Sequence, residues 1–230
     1  MPEPTLARHD LAWLLPAACS TASLIGRACI DETAARAKLA AWVAAGRPLF
    51  VTRQPADAGS RIALGLALPP QLGKFRLGFL VDRAAIIRLG AAPGLADVIQ
   101  HLPLEWQAKA AALLAAPAIN ATRPRVYGSA AMQVVCGEPC LSPGSDLDLA
   151  FSPANWPAAC ALVAALAKIE SANPAPRVDG EVVTPSGDAV AWRELLDEPA
   201  RVLVKSLGSV ELEAIADFSA AFSAAERRAA

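Results

Sequence analysis

Apolar positions recur at helical spacing near the start of the chain and then give way to short strand-like runs. Within residues 33–45, Leu39, Trp42 and Val43 lie among strong helix formers, and Gly46 follows, suited to the left-handed residue after a helix. Residues 49–52, 61–68 and 75–81 then predict three strands, separated by turn residues such as Asp57-Ala58-Gly59-Ser60 and Pro69-Pro70. A helix followed by strands predicts a small α+β unit whose sheet is covered on one face. Ala91-Ala92-Pro93-Gly94 interrupts the pattern, and two helical segments follow at 95–102 and 104–116. Residues 117–124 carry Pro at both ends and a polar middle of Asn120, Thr122 and Arg123. They read as the boundary between an N-terminal domain, residues 1–117, and a C-terminal domain, residues 118–230.

The second half mixes both periodicities. It predicts a strand at 125–127, a short helix from Ser129, a loop, a strand at 147–151, a helix at 156–171 and a strand at 177–183. A strand at 202–205 and a helical tail from about residue 217 complete it. Asn155 is placed to cap the 156–171 helix, with Pro157 in the first turn, where its missing N–H costs nothing. The fold class is therefore α+β in two domains.

Composition narrows the classes of function. The hydrophobic fraction is 54%, but alanine supplies much of it and buries little area per residue. The longest uncharged run, 149–167, contains Pro153, Pro157, Ser152 and Asn155, so it predicts a strand end, a loop and a buried helix rather than a membrane span. A net charge of −1 argues against a nucleic-acid partner held by counterion release. Five cysteines without repeated spacing argue against a disulfide framework, and the first ten residues lack an apolar signal region. A reduced, cytoplasmic compartment is expected.

The densest chemistry lies between Val126 and Phe151, where Gly128-Ser129 precedes Asp146-Leu147-Asp148. On a strand, Asp146 and Asp148 project from one face while Leu147 and Leu149 turn into the core. Two like charges side by side call for a cation between them, and a hard, oxygen-seeking ion such as Mg²⁺ suits carboxylates. Glycine at 128 lets the backbone approach phosphates, and the following helix start with the Ser129 hydroxyl offers donors to phosphate oxygens. Strand, Gly-Ser turn, helix, loop and acidic strand together point to displacement at phosphorus with metal assistance.

Val126-Tyr127-Gly128-Ser129 and Pro143-Gly144-Ser145-Asp146-Leu147-Asp148-Leu149 resemble the signature of polymerase-β-type nucleotidyltransferases. Further segments select a narrower group. Arg8-His9-Asp10-Leu11, Gly46-Arg47-Pro48-Leu49 through Arg53, Val178-Asp179-Gly180-Glu181, Ala189 to Leu195 and Val202-Leu203-Val204-Lys205 resemble the malonate decarboxylase holo-acyl-carrier-protein synthases. These are also called phosphoribosyl-dephospho-CoA transferases. The resemblance covers most of the chain and implies a C-terminal nucleotidyltransferase-like mixed sheet with helices. It implies that a serine of the apo acyl-carrier subunit of malonate decarboxylase attacks 2′-(5″-triphosphoribosyl)-3′-dephospho-CoA, with release of pyrophosphate. Mg²⁺ would be held by Asp146 and Asp148, one carboxylate would help deprotonate the serine, and no nucleophile is needed in this chain.

The resemblance also implies a third carboxylate, for which Asp179 and Glu181 are the candidates; Asp179 is preferred for its short side chain. Lys205 and Arg193 are candidates to bind the triphosphate, with Arg125 a weaker one. Gly180 would admit a ligand or backbone closely. The N-terminal domain, which lacks catalytic motifs, is expected to bind the carrier protein or the donor's pantetheine arm. Two other readings compete: transfer of a nucleoside monophosphate from an ordinary NTP, and a non-catalytic nucleotide-binding regulator. His9, His101, Cys136 and Cys140 lack metal-ligand spacing, and the five tryptophans read as core, with Trp192 a candidate to border the donor site.

Overall fold

The computed structural model describes residues 6–26, 30–197 and 199–229; Met1 to Thr5, on which the expectation of no signal region partly falls, lie outside them. Residues up to Ala92, together with 135–140, form one compact unit, and 93–134 with the remainder from Leu141 form the other.

The first unit holds β1 (Leu11–Leu14), α1 (Ala18–Thr21), β2 (Ser23–Ile25), α2 (Glu32–Ala44), β3 (Leu49–Val51), β4 (Arg61–Ala67), β5 (Arg76–Asp82) and β6 (Ile86–Gly90). The strands make a six-stranded antiparallel sheet ordered β2-β5-β4-β3-β1-β6. Asp31 caps α2 by accepting a hydrogen bond from the Ala34 N–H at 2.9 Å, and Glu32 sits favourably in its positive first turn. Gly46, at φ +71°, turns the chain out of the helix as expected. The helix buries Ala35, Leu39, Trp42 and Val43. The predicted helix and three strands are present; β1, β2 and β6, too short to show a period of their own, double the sheet.

The second unit holds α3 (Leu95–Val98), α4 (Leu104–Ala115), α5 (Pro117–Asn120), β7 (Arg125–Val126), all but the last two residues of α6 (Gly128–Cys136), β8 (Leu147–Phe151), α7 (Trp156–Ala172), β9 (Val178–Val183), β10 (Ala189–Ala191), β11 (Arg201–Lys205), β12 (Val210–Ala214) and α8 (Ile215–Ala229). Its six strands run in the order β12-β11-β10-β9-β8-β7. The sheet is mixed: β8 and β9 are parallel and the other pairs antiparallel, because α7 carries the chain back before β9 begins. Asn155 caps α7 through its Oδ1, which accepts from the Ala158 N–H at 3.0 Å, and Pro157 lies in the first turn.

The division falls at Ala92/Pro93 and not at 117–124. Residues 117–124 are no linker: Ile119 and Thr122 are buried, and α5 packs on α4 and α7. Backbone bonds from Val126 N–H to Pro93 O (2.8 Å) and from Leu95 N–H to Pro124 O (2.9 Å) fasten the start of the helical segment against its end, where β7 begins. No helix among the described residues is long and apolar enough to cross a membrane. None of the four described cysteines, Cys19, Cys136, Cys140 and Cys160, is in a disulfide. Cys136 and Cys140 meet at 3.6 Å, and burial, reinforced by Cys136, pushes the Cys140 thiol up to about 12.

Candidate active site

The two halves of the motif meet directly. Val126 of β7 pairs with Leu149 of β8, and the Tyr127 N–H donates to Asp148 O at 3.1 Å, which sets Gly128 against Asp148. Gly128 has φ +64°, and a Cβ there would lie 1.9 Å from Asp148 Oδ2. The carboxylate therefore occupies the space any other residue's side chain would take, next to the start of α6, whose first N–H groups have no helical partner. Ser129 follows, half-buried, in the first turn. Gly128→Ala should lower kcat/KM by about a hundredfold, because its methyl would displace the Asp148 carboxylate, and a misplacement of about an ångström at an active site has that effect. Alanine is also strained at φ +64°, so the melting temperature should fall by a few degrees, and activity measured well below it separates site damage from unfolding.

One sheet face gathers the acids. Leu147, Leu149 and Phe151 are fully buried, so Asp146 and Asp148 point the other way. The parallel register sets Asp148 opposite Asp179 and Ala150 opposite Glu181. Asp179 is thus the carboxylate beside Asp148, while Glu181 lies one step further along and is buried. Lys205 reaches the same face through β10, because Ala191 pairs with Glu181 and Ala189 with Lys205. Its Nζ donates to Glu181 Oε1 at 3.0 Å. Gly180 faces the buried side, where a Cβ would meet Leu149 O at 2.7 Å and the Phe151 ring at 2.9 Å. Strand packing, not a ligand, is what crowds that glycine.

Sequence reasoning missed Arg177. Its Nε and Nη2 hold Asp146 Oδ1 and Oδ2 at 3.1 and 2.7 Å, and Nη2 stands 3.9 Å from Asp179 Oδ2. The hydrogen bonds from Arg177 hold the Asp146 carboxyl below the usual range, although partial burial opposes them. A carboxyl lowered in the folded state stabilises the fold above its unfolded pKa of about 3.9 and loses that contribution as pH falls through the folded value. In a pH titration by NMR, Asp146 should stay ionised below the range where ordinary aspartates protonate, and Arg177→Gln should restore it to that range.

Arg193 goes elsewhere. Its Nη2 donates to Glu170 Oε2 and, at 3.2 Å, to Val178 O. Glu170 also accepts from Lys109 Nζ and from the Val178 N–H at 3.1 Å, and the Lys109 side chain is fully buried. Trp192, wholly buried, donates its indole N–H to Val178 O at 3.2 Å. Both backbone groups of Val178, the residue between Arg177 and Asp179, are therefore fixed by this cluster. Arg193 is a support of the site, close enough to help lower Asp146, and Trp192 is core.

Asp146, Asp148 and Asp179 are a donor set whose chemistry fits a hard divalent cation: oxygen ligands, on one open face of adjacent strands. In the conformation described, Asp146 is turned to Arg177. Among the described residues no three His, Cys, Asp or Glu side chains are grouped closely enough to hold a metal.

Comparison with known proteins agrees with this division and defines the class. Residues 7–92 match the model of the phosphoribosyl-dephospho-CoA transferase MdcG N-terminal domain, and residues 94–215 that of the MdcG C-terminal domain. The chain is a transferase. A phosphoribosyl-dephospho-CoA transferase of Xanthomonas campestris pv. campestris (strain 8004) is 39% identical over 199 residues, 86% of this chain and 89% of the relative. One of Bradyrhizobium diazoefficiens is 34% identical over 205 residues, 89% of this chain and 88% of the relative. No solved structure matches significantly. The chain belongs to the phosphoribosyl-dephospho-CoA transferase family.

Proposed function

We propose that this chain attaches the phosphoribosyl-dephospho-CoA group to a serine of the apo acyl-carrier subunit of malonate decarboxylase. The donor is 2′-(5″-triphosphoribosyl)-3′-dephospho-CoA, and the reaction is of the nucleotidyltransferase type. The serine oxygen bonds to the α-phosphorus, the bond to the leaving oxygen breaks, and pyrophosphate departs. The observation that carries the reading is the seating of the Asp148 carboxylate against Gly128, beside Asp179.

Mg²⁺, held by Asp146, Asp148 and Asp179, would supply neutralisation of charge on the α-phosphate and the leaving pyrophosphate. The N–H groups at the start of α6 and the Ser129 hydroxyl hold phosphate oxygens. Lys205, kept upright by Glu181, adds a positive charge on the same face. One carboxylate of the site takes the serine proton. Arg193 acts through Glu170 and Val178 to fix the strand that carries Asp179. The N-terminal domain binds the carrier protein or the pantetheine arm, and the enzyme works in the cytoplasm.

Mass spectrometry tests the reading. The apo carrier subunit, incubated with this protein, Mg²⁺ and the triphosphoribosyl donor, should gain the mass of one phosphoribosyl-dephospho-CoA group. Labelling by ATP with none from the CoA-derived donor would overturn it.

A further inference from the structure

Both carboxylate oxygens of Asp146 are taken by one guanidinium, which also stands 3.9 Å from Asp179 Oδ2. Each oxygen of Asp146 thus already accepts one guanidinium N–H, and a cation brought to that carboxylate meets the Arg177 charge and competes with its two-pronged grip. We propose that Arg177 is a stand-in for the metal: it neutralises Asp146 and Asp179 in the resting enzyme, yields them when the cation binds, and then carries its guanidinium onto the donor's triphosphate. The inference rests on the reading of these aspartates as metal ligands.

Three features support the exchange. The Arg177 side chain is 55% exposed, so it can swing without disturbing the core. Its root is fixed: Arg177 O accepts from the Leu147 N–H at 2.9 Å, and the next residue, Val178, is held at both backbone groups by Glu170, Arg193 and Trp192. The motion is thus confined to the side chain. A guanidinium fork matches phosphate as well as carboxylate, so a triphosphate brought to this face is a ready acceptor for the released group. Without some cation, the adjacent Asp148 and Asp179 and the neighbouring Asp146 would repel one another at each turnover. The exchange keeps a positive charge among them whether or not the site is loaded.

The test is Mn²⁺ binding to the full-length protein, followed by isothermal titration, for wild type, Arg177→Gln, Arg177→Lys and Asp148→Asn, with the KM for the donor measured in parallel. Exposed ion pairs are worth little, so Arg177→Gln should bind Mn²⁺ tighter by roughly three- to tenfold. Arg177→Lys should also bind tighter than wild type, because it keeps the charge but loses the two-pronged grip on Asp146; equality with wild type would mean that charge alone matters and would overturn the exchange. Both variants should raise the donor KM more than they lower kcat, and an unchanged KM would overturn the transfer to the triphosphate. If wild type binds Mn²⁺ in a manner that Asp148→Asn abolishes, yet Arg177→Gln binds no tighter, the exchange fails and the metal reading stands. If wild type and Asp148→Asn bind alike, or neither binds, both fail.

Discussion

Asp148→Asn should leave a folded protein that no longer modifies its carrier. Asparagine keeps the shape of the side chain against Gly128 and removes only the charge, at the position where one carboxylate faces Asp179 in register. Lewis-acid stabilisation of a transferring phosphoryl group is worth several kcal/mol, and at about 1.4 kcal/mol per decade its loss lowers kcat/KM by roughly a thousandfold. The urea midpoint should change little beside the loss of activity, since the substitution keeps the side chain's size and removes a like-charge neighbour of Asp179. Asp146→Asn should also abolish activity but soften the fold a little, because Arg177 loses the charge it grips. Carrier modification by Asp148→Asn within tenfold of wild type would refute a metal at these residues.

The largest loss of stability is expected from Glu170→Gln. Lys109 is fully buried and has Glu170 as its ion-pair partner, and the same carboxylate holds Arg193 and the Val178 N–H. Removing one partner of a buried pair leaves the other charge uncompensated, at a typical cost of about 3–5 kcal/mol. Lys109→Met together with Glu170→Gln should recover part of that loss, since no buried ammonium then lacks its anion. Urea unfolding of the two single variants and the double gives the comparison; equal destabilisation by Glu170→Gln and by the double would contradict it. At temperatures where Glu170→Gln remains folded, activity should still fall, because Val178 carries Arg177 on one side and Asp179 on the other.

What the sequence made legible was local. The alternation through Asp146 to Phe151 gave strand and face correctly because its period is set by backbone geometry, and Asn155 could be read as a cap from its neighbours. Asp179 was favoured over Glu181 on side-chain length; the register across two strands separated by α7 puts it beside Asp148, and no local pattern encodes a register. Lys205 and Arg193 were indistinguishable in sequence, each a cation after an apolar stretch. Only the path of β10 brings Lys205 to the acidic face, while the short turn after β10 takes Arg193 to Glu170. Arg177, the first residue of a predicted strand, carried no signal separating it from a solvated strand end. The domain boundary was misplaced because prolines and polar residues mark linkers and short buried helices alike. The break at Pro93-Gly94 was the better signal, since a helical segment whose start is bonded to the chain at β7 cannot belong to the domain before it.

The parallel pairing of β8 with β9 has a consequence for fragments and for folding order. Asp148 and Asp179 are neighbours only because α7 returns the chain between them, so a piece ending before Val178 would carry the whole diagnostic motif and none of the facing carboxylate. Contacts of such long sequence separation close late, after the local helices and hairpins. A nascent chain emerging from the ribosome is thus spared the clustered negative charge until the segment bearing Arg177 arrives with it.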